Sequence, residues 1–244
     1  TPSRPLTLSW ENGQGVRFIQ VIEIDDAFML SVTQKVENNS GQPVTLHPFG
    51  RISRTNTPDT LGFYILHEGP LAVFNDTLKE VDYDDLQEGP ADATNSVGGW
   101  IGITDKYWLT ALIPEQKTPY AGSFRYSQPN KQDTYQADFM LQAPQVIAPG
   151  ATARAISHFF AGAKEVHLLD KYEEQLGIAR FDLAVDFGWF YFLTKPLFFV
   201  LDYFFKMLGN FGLAILLLTV CVKAIFFPLA NKSYKAMSKM KALQ

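Results

Sequence analysis

Phe28-Met29-Leu30-Ser31-Val32-Thr33-Gln34-Lys35-Val36 is the stretch on which the fold turns. Phe28, Leu30, Val32 and Val36 alternate with Met29, Ser31, Thr33 and Lys35, the two-residue period of a half-buried strand. Asn38-Asn39-Ser40-Gly41 then supplies turn residues before Val44 and Leu46 resume the apolar pattern. Farther along, Tyr135, Ala137, Phe139 and Leu141 alternate with Gln136, Asp138 and Met140. Val16–Ile24, Lys106–Ile113 and Ala153–Phe160 read as further strands. Many short strands separated by Gly, Pro and Asn turns, from Leu6 to about Phe160, predict a mainly β fold of the β-sandwich kind. Between them, residues 81–99 are acidic and rich in small residues, with Asp82, Asp84, Asp85, Glu88 and Asp92. They lack the regular spacing and closing glutamate of a calcium-binding helical hand, so a solvated surface loop is expected.

Beyond residue 160 the pattern changes. Val166, Leu169, Tyr172 and Leu176 line one face of a predicted helix over 164–177, with Gly177 as its stop. Residues 187–208 are dense in aromatics, among them Trp189, Phe190, Tyr191, Phe198 and Tyr203, interrupted by Lys195, Asp202 and Lys206. That aromatic load and the Lys195-Pro196 break fit a helix lying in a membrane interface better than a second span, and Pro196 is a candidate start for a new helical segment. Gly209-Asn210 forms a corner. The run Phe211–Leu229 follows, 19 residues with one charge, long enough to cross a hydrocarbon core of about 30 Å.

Charge is divided as sharply as hydropathy. Residues 1–202 carry 15 basic and 25 acidic groups, a charge of −10, whereas residues 203–244 carry six lysines and no acid. Lys232, Lys235, Lys239 and Lys241 follow the apolar run and, by the positive-inside rule, place the C-terminus in the cytoplasm and the acidic region across the membrane. Such a topology calls for an export signal, and Thr1–Leu8 has neither a basic start nor an apolar core. A signal or anchor upstream of Thr1 is therefore expected.

Conventional catalytic signatures are missing from the string. His47, His67, His158 and His167 are scattered, and the sequence carries no nucleophile elbow, phosphate-cradling glycine loop or zinc spacing. Cys221, the sole cysteine, lies inside the apolar run and reads as a packing residue. What stands out is Lys223, the one charge in that run. Placing a charge so deep costs at least ~2.5–3.5 kcal/mol on insertion scales, which makes it a functional candidate. Two readings stand. The lysine stem snorkels towards the inner headgroups, or Lys223 joins Thr219, one i−4 step away, in a polar stripe facing a wet cavity or a protein neighbour.

The ordered string Asp186-Phe187-Gly188-Trp189, Lys195-Pro196-Leu197, Gly209-Asn210-Phe211-Gly212 closely resembles the bacterial YidC insertases of the Oxa/YidC/Alb family. So does Thr219 to Leu229 followed by Lys232-Ser233-Tyr234-Lys235-Ala236-Met237-Ser238-Lys239-Met240. Upstream, Val16-Arg17-Phe18, Val36-Glu37-Asn38 and Leu46-His47-Pro48 are similar to the large periplasmic domain of Gram-negative members. The resemblance implies that residues 1–163 are the later part of a mutarotase-like β-supersandwich, closed by a short helix and connector over 164–186. It implies an interfacial amphipathic helix at 187–208 anchored by Trp189, Phe190, Tyr191, Phe198 and Tyr203, a transmembrane helix at 209–230, and the start of a basic cytoplasmic hairpin at 231–244. Lys223 matches a groove cation that is usually arginine, and Thr219 a groove polar position. Lysine keeps the charge but lacks the bidentate fork.

The implied role is insertion of membrane proteins into the inner membrane without covalent catalysis, so no enzyme activity is expected. The implied partners are nascent membrane proteins, the Sec translocon and its accessory subunits, membrane lipids, and the ribosome through Lys232, Lys235, Lys239 and Lys241. No cofactor, metal or direct DNA binding is expected. The alternative from another class is a membrane-tethered carbohydrate-binding or mutarotase-like domain built around His47 or His158.

Overall fold

Up to residue 163 the regular elements among the described residues are strands, apart from one short helix and a 3-10 turn. The computed structural model describes residues 4–60, 66–89, 91–188 and 190–241, with the backbone alone for 91, 92 and 233–241. Residues 1–186 and 187–244 form two compact units.

In the first unit, strands β1 (Leu6–Glu11), β2 (Val16–Ile24) and β3 (Met29–Asn38) lead to the short β4 (Val44–Leu46) and to β5 (Phe49–Thr55). Next come β6 (Gly69–Phe74), β7 (Thr77–Glu80), helix α1 (Tyr83–Glu88), β8 (Ala91–Val97), β9 (Gly99–Thr104) and β10 (Trp108–Ile113). After these follow β11 (Pro119–Ser127), β12 (Thr134–Leu141), β13 (Gln145–Ile147), β14 (Thr152–Ala163) and helix α2 (Val166–Leu176). Eight strands form one antiparallel sheet in the order β1-β2-β3-β14-β10-β9-β6-β7, and four form a second, β5-β12-β11-β8; β13 and β4 pair separately.

Alternation along the central strands explains the layering. Ala72 and Phe74 of β6, Ile101 and Ile103 of β9 and Leu112 of β10 pack with Phe124, Tyr135, Ala137 and Phe139 of the small sheet. The intervening Leu71, Val73, Trp100, Ala111 and Ile113 point the other way, onto Leu169 and Tyr172 of α2 and onto Phe181 in a 3-10 turn. Strands buried on both faces carry unbroken apolar runs, as β6 and β9 do, and show no two-residue period. They also pack closely: a Cβ on Gly102 would lie 2.1 Å from the carbonyl oxygen of Thr110.

The opening stretch is indeed a strand, entered one residue late. Phe28 adopts φ 70° and is 58% exposed, while Met29 is buried. The cause is the preceding turn, where Asp25 Oδ1 accepts the N–H groups of Ala27 (2.8 Å) and Met29 (2.9 Å), turning Phe28 outward. Asp25 Oδ2 accepts the Tyr172 hydroxyl at 2.6 Å. Burial alone would raise the Asp25 pKa, but these hydrogen bonds and Lys171 outweigh it and hold the carboxyl below its usual value.

Residues 81–99 are not the expected solvated loop. Tyr83 and Leu86, three apart, turn into the core from α1, and β8 pairs with β11 in the small sheet. Acidic Asp84 and Asp85 occupy the first turn of α1, where the helix dipole favours them. At the end of the unit α2 stops at Gly177, left-handed with φ 65°.

Candidate functional site

The second unit holds helices α3 (Tyr191–Leu208) and α4 (Phe211–Lys241), packed on each other. Pro196 sits within α3 and does not begin a new helix. Lacking an N–H, it removes the bond that the Phe192 carbonyl would otherwise accept. The corner is set by two residues. Gly209 takes φ 65° and donates its N–H to Phe205 O at 2.8 Å, and the Asn210 side chain accepts the Leu213 N–H at 3.2 Å as an N-cap.

From this corner α4 runs without a break into the basic segment, so the residues expected to open a hairpin continue the same helix to Lys241. Its stretch Phe211–Lys232, 22 residues, is long and apolar enough to cross a membrane. Ala214, wholly buried, and the half-buried Leu217, Leu218, Cys221 and Val222 form an i, i+3, i+4, i+7, i+8 stripe. Thr219 and Lys223 lie on the opposite side of the helix, and both are exposed. At 1.5 Å per residue Lys223 stands ~18 Å along the helix from Phe211. The Thr219 hydroxyl donates to the Ile215 carbonyl at 2.8 Å, which leaves its oxygen lone pairs as acceptors beside the Lys223 position. The face therefore offers a cation and an acceptor within an otherwise apolar surface.

The expected interfacial anchors divide. Phe190 and Tyr203 are exposed, whereas Tyr191 and Phe198 pack on Phe187 with ring centroids 5.7 and 5.9 Å away. Lys206 pairs with Asp202 at 2.7 Å, one turn apart. Trp189 lies outside the described residues, as do the side chains of Lys235, Lys239 and Lys241; Lys232 is exposed.

With this geometry in place, comparison with known proteins decides the lineage. The family model of the YidC periplasmic domain matches residues 1–200, and that of the 60Kd inner membrane protein matches residues 203–244. The chain belongs to the YidC family. Curated relatives named membrane protein insertase YidC include those of Granulibacter bethesdensis, 48% identical, and Rickettsia bellii, 43% identical. The alignments take in 100% of this chain and 43% and 44%, respectively, of those proteins. That of Methylorubrum extorquens is 47% identical over 100% of this chain and 41% of its own length. The chain thus spans less than half the length of these YidC relatives.

The remaining polar clusters in this YidC chain have structural neighbours. His47, which follows β4 and lies outside any strand, donates from Nδ1 to Leu141 O at 2.8 Å. His158 in β14 sits 3.2 Å from Ser31 Oγ, and burial lowers its pKa. A group that was not evident in the sequence is Asp170, Glu173 and Asp182, whose carboxylate oxygens lie within 4.8 Å of one another. Arg180 approaches Asp182 at 3.5 Å, and Glu173 accepts the Asp182 N–H at 2.9 Å, so Glu173 ties α2 to the following turn.

Proposed function

We propose that this chain is part of a membrane protein insertase, with residues 1–186 in the periplasm, α3 in the outer interface, Phe211–Lys232 across the inner membrane and the basic end in the cytoplasm. The observation that carries the reading is the exposure of Lys223 with Thr219 on the side of α4 opposite its buried stripe. A charge left in lipid there costs several kcal/mol, so the face serves best as the wall of a hydrophilic groove. In that groove the ammonium receives the polar, often acidic segment of an arriving membrane protein and shortens the low-dielectric distance it must cross. Apolar helices of the substrate then leave along the neighbouring apolar surface into lipid. No covalent step is required. The basic end would meet the ribosome and anionic lipid, and the whole protein would act alone or beside the Sec translocon and its accessory subunits.

The test is Lys223→Ala against Lys223→Arg in the complete protein. Arginine should support insertion of substrates with acidic translocated segments, and alanine should slow it about tenfold, a loss of ~1.4 kcal/mol. Equal rates for the two variants would sink the groove-cation reading.

A further inference from the structure

The turn tips at one end of the eight-stranded sheet differ in chemistry from those at the other, although Trp10, on edge strand β1, is exposed towards the far end. At the far end, the turns after β1, β3 and β10 read Asn12-Gly13-Gln14-Gly15, Asn39-Ser40-Gly41 and Pro114-Glu115-Gln116-Lys117-Thr118, polar throughout apart from the proline. At the near end, the β2–β3 turn presents Phe28, the β9–β10 turn presents Tyr107, 64% exposed, and the first residue of β10 is Trp108, 61% exposed. The strands bring these tips together. Phe28 O accepts the Ala161 N–H at 3.3 Å, Trp108 is paired with Ala163, and Tyr107 O accepts the Lys164 N–H at 2.9 Å. Lys106 places its ammonium 5.0 Å from the centre of the Tyr107 ring.

Two further observations mark this end. Burial lowers the Lys164 pKa and the nearby charge of Asp186, the last residue of the unit, opposes that shift, so the unit ends near this end of the sheet. Phe28 is also held in the left-handed region, which is costly for a bulky side chain and is characteristic of residues kept for a task outside the core.

We propose that this end of the β unit rests on the phospholipid surface, with Phe28, Tyr107 and Trp108 entering the headgroup layer as an aromatic anchor. Rings with an apolar body beside a lysine suit that layer. Charge supplies no net attraction, because Asp25, Asp26, Glu68 and Asp105 offset Arg54, Lys106 and Lys164 at the same tips. Contact should accordingly be at least as strong on zwitterionic as on anionic lipid.

The proposal rests on reading Phe211–Lys232 as a membrane span, and the experiment separates the two. The full chain carrying Cys221→Ser is given a single fluorophore-labelled cysteine by Asp26→Cys, Lys117→Cys or Val220→Cys. Each is reconstituted in phosphatidylcholine vesicles holding lipid with a nitroxide near the headgroup or deep in the acyl chain. Quenching at 26 by the shallow nitroxide should exceed that at 117 by roughly twofold or more, as for a site within about 5–10 Å of the headgroup boundary. Substituting Phe28, Tyr107 and Trp108 together with serine should return it to the level at 117. Equal quenching at 26 and 117, persistence after the serine substitutions, or quenching that needs phosphatidylglycerol would each overturn the anchor. Lack of deep quenching at 220 would instead overturn the span.

Discussion

Asp25 shows how one carboxylate organises several elements. It closes the β2–β3 turn, bonds the Tyr172 hydroxyl of α2 and sets Phe28 outward. Asp25→Ala should destabilise the β unit by about 1–2 kcal/mol, the lower part of the range for hydrogen bonds to a charge because the group is largely exposed. Its lowered pKa fixes the sign of the pH dependence. The contribution is complete above the unfolded carboxyl value of 3.8 and is lost as pH falls through the lower folded value. Asp25→Asn keeps the acceptor without the charge, so its thermal midpoint should fall less steeply than that of the parent below about pH 4. Parallel slopes for the two proteins, followed by near-ultraviolet circular dichroism in detergent, would show that Asp25 does not carry this dependence. At the same scale, Lys223 stood out in the sequence as a candidate because a lone charge in a long apolar run is energetically conspicuous. Phe28 was misread because its placement depends on a side-chain bond from three residues earlier, which periodicity does not register.

Among the elements, legibility followed burial symmetry. Strands β3 and β12 alternate in sequence and were found to within a few residues, and β2 matched at both ends. Strands β6 and β9 went unnoticed because both their faces are covered, leaving no contrast to read. Residues 81–99 misled for the opposite reason: the exposed charges of α1, Asp84, Asp85 and Glu88, masked Tyr83 and Leu86 turning inward. For α4, composition revealed a candidate span but not which stripe is buried, since Leu, Val and Ile surround the helix. That stripe includes Ala214, a small, wholly buried residue of a helix that packs with α3. Ala214→Leu should therefore force α3 and α4 apart at a cost of about 1–3 kcal/mol. Leu216→Ala, on an exposed position of the same helix, should leave their spacing unchanged. Distances between spin labels on Tyr203 and Leu213 would distinguish these outcomes.

Over the whole molecule, the division of charge and the division of hydropathy coincide: acids stop at Asp202, and the apolar helix starts nine residues later with only lysines beyond. If the orientation follows from that asymmetry, the four lysines after the span should act together, each opposing transfer of the end of α4 across the membrane. Replacing Lys232, Lys235, Lys239 and Lys241 by glutamine should leave α4 helical, because lysine and glutamine have nearly equal helix propensity. Its orientation should then become mixed. A membrane-impermeant thiol reagent applied to sealed cells should label a cysteine at Lys117 in the parent, with Cys221→Ser in the background, and label a smaller fraction of the glutamine variant. Unchanged labelling would mean that the β unit's export is decided by segments outside this chain and that the basic end serves another contact, for which the anionic inner leaflet and the ribosome surface are the candidates. Where labelling does fall, restoring one lysine at a time separates two explanations of the loss. Orientation set by summed charge recovers in steps, whereas a specific docking contact returns with a single position.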